Sequence, residues 1–394
     1  MKEIHPLLDA DKQSQAQKYE KEKRLLGLLG SVISLAFVLW YYFSGFSHQI
    51  AQLEFSFIWT FLIYVVIFLS LVTVIGLPLG YYSGYLHEHK WGFSNYTHKT
   101  WALDQIKSFL VSLVLFPLLL GLLYWVFAVF PDIWWLVAGG ATALISVIFV
   151  TIFPVVIAPI FNKYDPIEDD SLINQLTLIL EKADLKPGGF FRQDMSKQTK
   201  KENAFLGGLG KTRRVVMADN LLKHMSEGEI SSVIAHEVGH YKYSHLPKNI
   251  VIGTVQQLIT FYLLDMVMKK FFPDFLTSNV ANLALFPMIG LTMGILSGFL
   301  FGPLNNWLSR YFERQADHCS LELYPEKDAF LGAMALVKSL GGDMGWVGPV
   351  TLALGGLGII FYIILIVSGI GLLKQRNWGR TLSNAYAVVA IILA

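Results

Sequence analysis

The chain is poor in charge. Asp, Glu, Lys and Arg make up only 15% of its 394 residues, against roughly 25% in an ordinary soluble domain, and that shortage excludes a conventional water-soluble fold. Net charge is small too, +2 with a pI of about 8.4. No basic tract or interleaving of basic with aromatic residues occurs, so no nucleic acid partner is expected. The single cysteine, Cys319, excludes an intramolecular disulfide and any multi-cysteine metal site and fits a reducing compartment; it reads as a small packing residue. Internal repeats and low-complexity segments are absent. A cleaved signal peptide is not expected, because about 24 polar and charged residues precede the first apolar run, which should stay as an anchor.

What the chain has is long apolar runs, near 25–46, 55–81, 108–130, 133–158, 249–268 and 283–302, with two further runs near 349–373 and 380–394. About 20 residues at 1.5 Å each cross a hydrocarbon core of roughly 30 Å, so the sequence predicts a polytopic helical membrane protein. Lys18, Lys21, Lys23 and Arg24 before the first run place the amino terminus in the cytoplasm by the positive-inside rule. Alternation then puts 47–54 and the Phe130-Pro131-Asp132 turn outside, and 82–107 and 159–248 inside. The latter segment carries thirteen Lys and Arg, consistent with that orientation.

The expected organisation is a cytosolic segment (1–24), four membrane helices (25–158), a cytosolic domain (159–248), two more membrane helices (249–302), a helical segment (303–340) and a carboxy-terminal membrane module (341–394). In 159–248, Asp165-Pro166 with Glu168 reads as a helix start, followed by apolar Leu172, Ile173, Leu176, Ile179 and Leu180 on one face. Pro187-Gly188-Gly189 ends that helix, and short runs near 190–194, 203–206 and 213–218 predict a small antiparallel sheet.

Ser226-Glu227-Gly228-Glu229 is a capping box that opens a helix through His236, Glu237 and His240. Residues four apart share a helical face, so both imidazoles of this HExxH pattern can reach one Zn²⁺ at about 2.0–2.1 Å. Glu237 beside them can reach the water that zinc acidifies to a pKa of about 7 and take its proton as it attacks a peptide carbonyl. The plain alternative is a chance match on a solvated helix face.

A catalytic zinc keeps three protein ligands and one open position. Asn306, Arg310, Glu313 and Asp317 share one face at helical spacing after the 283–302 run. Glu313 is the best third ligand, Asp317 can accept the free ring N–H of a ligating histidine, and Arg310 can donate to an oxyanion or a substrate carboxylate. The alternative, a surface ladder ending a membrane helix, loses weight because the HExxH pattern is present.

These residues resemble those of the integral-membrane zinc endopeptidases of the type I CAAX prenyl protease family, with its HtpX-like relatives. The resemblance covers approximately residues 18–330. It includes Leu77-Pro78, the Glu88 to Asp104 loop with Gly92-Phe93-Ser94-Asn95 and Thr97, Pro159 with Phe161-Asn162-Lys163, Asn203-Ala204-Phe205, His236 to Lys242 with His245, and Ser309-Arg310 through Ala316-Asp317. The family implies a mainly α, polytopic membrane protein whose helices enclose a water-filled chamber, with a cytosolic gluzincin-type domain and a zinc ion near its cytosolic end. It also implies a third ligand at Glu313 and a substrate held extended along Asn203-Ala204, a role that an exposed sheet edge suits physically. Read alone, Asn203 is equally a turn residue at a strand end. His87, His89 and His98 read as interface or packing residues.

The sequence departs from the eukaryotic branch of the family in lacking one helix before the 25–46 run and the carboxy-terminal Ser-His-Pro region, and the likeness fades after about residue 341. Residues 349–394, with Lys374, Arg376 and Arg380 between two apolar runs, resemble a small bacterial two-helix module and point to a bacterial inner membrane. An outward crossing at 349–373 sets those cations against the positive-inside tendency, and the final run is too short for a full crossing, which suggests further sequence beyond it.

The expected activity is metal-assisted peptide hydrolysis near the cytosolic membrane face, on lipid-modified tails or on damaged membrane proteins. A zinc-bearing scaffold without hydrolysis is the rival from another class, although Glu237 is present. A transporter is a third, raised by Gln256, Gln257 and Asp265 within one apolar run.

Overall fold

The computed structural model describes residues 10–186, 188–207 and 213–339. The expected module at 341–394, with its two apolar runs, and the Gly208 to Thr212 turn lie outside the described residues.

Helices α1 (Ala10–Phe43), α2 (Phe57–Tyr81), α3 (His98–Val129) and α4 (Trp134–Ile152) are long and apolar enough to cross a membrane. Their outward side chains are apolar as well. Leu110, Val114 and Leu118 on α3, four residues apart, each leave more than half of their surface uncovered, a stripe that suits lipid and not water. Pro78 lies in the last turn of α2, and a wide π turn over Tyr82–His87 follows before the chain reaches Lys90. The segment beyond is anchored in layers. Tyr19 of α1 donates to Glu88 at 2.5 Å, Lys201 reaches both Tyr19 (2.7 Å) and Glu88 (2.8 Å), and Glu22 takes His87, Lys90 and Trp91. His89 meets the Tyr85 carbonyl and His98 the Tyr81 hydroxyl. All three histidines of this region are thus engaged in packing contacts.

The polar domain begins with β1 (Tyr164–Pro166) and α5 (Asp170–Glu181). The helix starts later than expected at Asp165-Pro166: Asp169 is the cap, accepting from Leu172 N–H at 3.1 Å. Tyr164–Pro166 is instead taken up by antiparallel pairing with β2 (Phe190–Gln193). Strands β3 (Ala204–Gly207) and β4 (Arg214–Ala218) complete a sheet of order β1-β2-β4-β3. The sheet is mixed, not antiparallel throughout, because β2 and β4 run parallel while β3 doubles back onto the outer side of β4. That topology leaves β3 at an edge.

Helix α6 (Glu227–Lys242) opens with the capping box read from the sequence, Glu229 accepting from the Ser226 N–H at 2.8 Å. Its inner face carries Ile230, Ile234 and Val238 into a core shared with Leu176, Ile179 and Leu180 of α5, Val215 and Met217 of β4, and Cys319 and Leu323. Cys319 is therefore the small packing residue expected.

Helices α7 (His245–Phe271) and α8 (Asn279–Leu323) are the remaining spans among the described residues, and α9 (Lys327–Ser339) follows. The run at 283–302 and the helical segment after it are one continuous α8, although Gly294–Arg310 groups into a unit distinct from the residues on either side. Trp134 of α4 donates to Asp265 of α7 at 2.7 Å, and Asp265 pairs with Lys269 at 2.9 Å. Asp265 is thus committed to a buried tie, not free in a pathway.

Candidate active site

The HExxH helix α6 sets the site. His236 and His240, one turn apart, bring their Nε2 atoms to 3.2 Å. Glu313 of α8 approaches both, at 3.4 Å from His236 and 3.7 Å from His240. Among the described residues, these three form the group whose ligand atoms all lie within 4.8 Å of one another.

Gly239 makes the approach possible. A Cβ there would stand 2.9 Å from the Ala316 Cα and 3.1 Å from its carbonyl oxygen, closer than backbone atoms yield. The two helices are clasped further by the Ser320 hydroxyl, which donates to the buried Ser232 carbonyl at 2.8 Å.

Behind the ligating face, His236 Nδ1 lies 3.0 Å from Asp317 Oδ1, a buried oxygen with no other partner among the described residues. A proton held on Nδ1 turns the Nε2 lone pair of His236 toward Glu313 and His240. Burial disfavours the charged form of both imidazoles. Asp317 and Glu313 overcome this at His236 and lift it to about 10, whereas burial and the charge on His236 push His240 down to about 4. Two imidazoles and one carboxylate are a donor set that suits a borderline divalent cation such as zinc, and the residues present fit a metal ion.

The Leu206 backbone N–H of β3 donates to the Glu237 carboxylate. Burial pushes this carboxyl up to about 7, the charge on His236 opposes the shift, and Glu313 adds to it. A carboxylate poised near neutrality can both take and return a proton.

Asn203 and Ala204 stand at the start of β3, on the sheet's edge. The Asn203 carbonyl accepts from Ala218 at 2.8 Å and therefore faces β4, and the Asn203 side chain is exposed. Alternation turns the backbone groups of Ala204 and Leu206 to the side away from β4, where the Leu206 N–H meets Glu237. The structure does not bring Asn203 or Ala204 into contact with the three metal-binding candidates among the described contacts. Arg310 makes no hydrogen bond or ion pair among the described contacts.

Three residues around the site carried no assigned role in the sequence reading: His245, Gln315 and Tyr311. His240 Nδ1 lies 2.9 Å from His245 Nδ1, His245 Nε2 lies 3.1 Å from Gln315 Oε1, and Gln315 Nε2 donates to the Tyr311 hydroxyl at 3.2 Å. Ser244, in a left-handed conformation (φ 54°), makes the corner that turns His245 back toward His240. The sequence signal was a third histidine five residues after His240, beyond the reach of helical spacing.

Comparison with known proteins gives a match to peptidase family M48 over residues 166–363. The chain belongs to peptidase family M48. Residues 2–163 match the CAAX prenyl protease N-terminal domain, described as five membrane helices; among the described residues there, four helices are long and apolar enough to cross a membrane. An uncharacterized metalloprotease of Bacillus subtilis, YhfN, is 30% identical over 80% of this chain and 75% of its own length. CAAX prenyl protease 1 of Saccharomyces cerevisiae is 30% identical over 63% of this chain, and the chain spans 58% of that protein. The CAAX prenyl protease 1 homolog of Homo sapiens is 27% identical, with 69% and 66% covered. The crystal structure of S. mikatae Ste24p is similar with a TM-score of 0.71 and 24% identity, covering 88% of this chain and 85% of that one.

The M48 protein thus has the expected fold class, mainly helical and membrane-spanning with a small sheet, and shares the fold of that neighbour. It is an integral-membrane metalloendopeptidase: its apolar helices imply a lipid bilayer and its family implies peptide or protein substrates. Family membership implies a metal ion and does not favour the transporter or the non-catalytic scaffold.

Proposed function

We propose that this M48 protease is a zinc-dependent endopeptidase that hydrolyses peptide bonds near the cytosolic face of a bacterial inner membrane. The observation that carries the reading is the convergence of Glu313, from a membrane-spanning helix, on the paired histidines of the HExxH helix. His236, His240 and Glu313 would hold one zinc ion. When bound, the ion acidifies water to a pKa of about 7 and polarises a carbonyl.

The remaining roles belong to the chain's own side chains. Glu237 takes the proton from the attacking water and returns it to the leaving amine, a cycle suited by its raised pKa. Asp317 holds the Nδ1 proton of His236. The open side of β3, beginning at Asn203 and Ala204, hydrogen-bonds an extended peptide whatever its side chains. Arg310 is assigned a charge-stabilising role toward substrate on its sequence position alone. The cytosolic orientation rests on Lys18, Lys21, Lys23 and Arg24 and on the cationic 159–248 domain. No nucleic acid partner is proposed.

The relatives named CAAX prenyl protease support lipid-modified tails as substrates, and removal of damaged membrane proteins is the alternative. Purified wild type and Glu237→Gln should be given a farnesylated peptide and an unmodified casein-type protein, with bound zinc quantified in both. We expect cleavage by the wild type only, at equal zinc content, with the preferred substrate deciding between the two classes. A wild type as inert as the variant while zinc is bound would restore the scaffold reading.

A further inference from the structure

His245 is the third imidazole within reach of the metal-binding pair, yet its geometry prevents it from being a ligand. Its ring is almost fully buried (2% exposed) and stacked on Phe312, with centroids 4.2 Å apart and planes at 18°. Tyr243 lies nearly parallel to the same ring, at 6.0 Å and 19°. His245 Nδ1 faces the back nitrogen of His240, not the ligating side. A nitrogen facing another nitrogen at 2.9 Å requires one proton between them, and the question is which ring owns it.

The chain beyond His245 supplies the answer. Gln315 sits on α8 two residues after Glu313 and presents Oε1 to His245 Nε2 at 3.1 Å, while its Nε2 donates to the Tyr311 hydroxyl at 3.2 Å. An amide oxygen accepts only, so His245 must carry its proton on Nε2. Its Nδ1 is then a bare acceptor, which receives the Nδ1 proton of His240, and the His240 Nε2 lone pair points to the metal side. The reverse direction, with the amide turned over, would put a proton on His240 Nε2 and abolish its ability to ligate. Metal binding and the observed amide orientation therefore select the same tautomer.

We propose that His245 and Gln315 are positioning residues that lock His240 in its metal-ligating tautomer, as Asp317 does for His236. The inference rests on the zinc reading of His236, His240 and Glu313. It makes the two histidines unequal: His236 is backed by an anion, whereas His240 is backed by a neutral imidazole relay ending in an amide. Because Gln315 and Glu313 share one helix, the same element that offers the carboxylate ligand also orients the opposite histidine.

The test is equilibrium competition for zinc between the purified full-length protein and a chromophoric chelator, read as affinity and independent of cleavage. His245→Phe keeps the stack on Phe312 and removes the acceptor; Gln315→Leu removes the end of the relay; Gln315→Glu restores an acceptor of the same length. We expect zinc affinity to fall about 10- to 100-fold in His245→Phe and Gln315→Leu, and to recover to within about threefold of wild type in Gln315→Glu. Equal affinity of wild type and a folded Gln315→Leu would overturn the relay, as would equal weakening by Gln315→Leu and Gln315→Glu. If His245→Phe does not fold, the Gln315 pair alone decides. His236→Ala separates the two levels, since unchanged affinity in that variant would remove the zinc reading itself.

Discussion

Gly239 sits between the two histidines, on the side of α6 that meets α8, and replacing it with alanine should uncouple metal binding from folding. The added Cβ would lie 2.9 Å from the Ala316 Cα, 3.0 Å from the Cys319 Cβ and 3.1 Å from the Ala316 carbonyl oxygen. Carbon atoms in good contact stand about 3.5–4.0 Å apart, so α8 must retreat by about 0.5–1 Å. No rotamer change relieves this, since two of the three obstructing atoms belong to the backbone. Overpacking of this kind costs about 1–3 kcal/mol, and alanine returns about 1 kcal/mol over glycine in helix propensity. The net loss is then about 0–2 kcal/mol, and the protein should remain folded.

The site tolerates less. Metal–ligand distances are satisfied within about 0.2 Å, and Glu313 lies one turn before Ala316 on the helix that must move. Gly239→Ala should therefore lower zinc affinity more than tenfold, with cleavage falling in parallel, while the thermal unfolding midpoint drops by only a few degrees. Chelator competition and thermal unfolding measure the two effects. Gly253→Ala on α7, whose added Cβ meets nothing within 4 Å, is the control. A folded Gly239→Ala that binds zinc within about twofold of wild type would refute the close-approach argument.

Other consequences are open to test. Asp265→Leu leaves the buried Trp134 N–H without its 2.7 Å acceptor and should destabilise by about 1–3 kcal/mol in detergent unfolding, whereas Asp265→Asn keeps an acceptor and should cost less; equal losses would contradict this. Burial pushes the Asp219 carboxyl up, but hydrogen bonds from the Ser196 hydroxyl and N–H, with Lys223, outweigh it and hold the group below the usual carboxylate range. A depressed folded pKa contributes stability above the unfolded value near 4, lost as pH falls through the folded one. Asp219→Asn should thus be less stable than wild type at pH 7 and converge with it in acid, and parallel stability curves would exclude the effect. The open side of β3 is closed upstream, where Lys200 N–H donates to Phe93 O and Asn95 N–H to Gln198 O. Peptides lengthened beyond about three residues at the end running toward Lys201 should lose kcat/KM, and equal tolerance at both ends would count against that placement.

The parts of this fold that were legible in the sequence are those set by local periodicity. Six apolar runs became α1 to α4, α7 and α8, and the Ser226–Glu229 capping box opened α6 where the pattern put it. The face shared by Glu313 and Asp317 was readable too, since i and i+4 stay together on any helix, and both carboxylates meet His236. Long-range pairing was not legible. Asp165-Pro166 carries a helix-start pattern, but pairing with β2 claims it as strand. The parallel β2–β4 register arises from β3 doubling back to the outer edge, which no property of those short runs encodes.

The relay behind His240 was hidden for a related reason. His245 follows the HExxH helix across a corner that Ser244 makes in a left-handed conformation, and Gln315 arrives from 70 residues further along the chain. The contact itself is made at Gly239, where α8 comes close between the histidines. That closeness has a chemical consequence. Glu313, Gln315 and Asp317 occupy alternate positions on a single stretch of α8, and they respectively approach both histidines, back His245 and back His236. A displacement of that stretch would disturb the proposed third ligand and both proposed tautomers at once. The proposed metal centre is therefore coupled to the seating of α8 against α6, and substitutions at their contact should be read first by metal affinity and only then by stability.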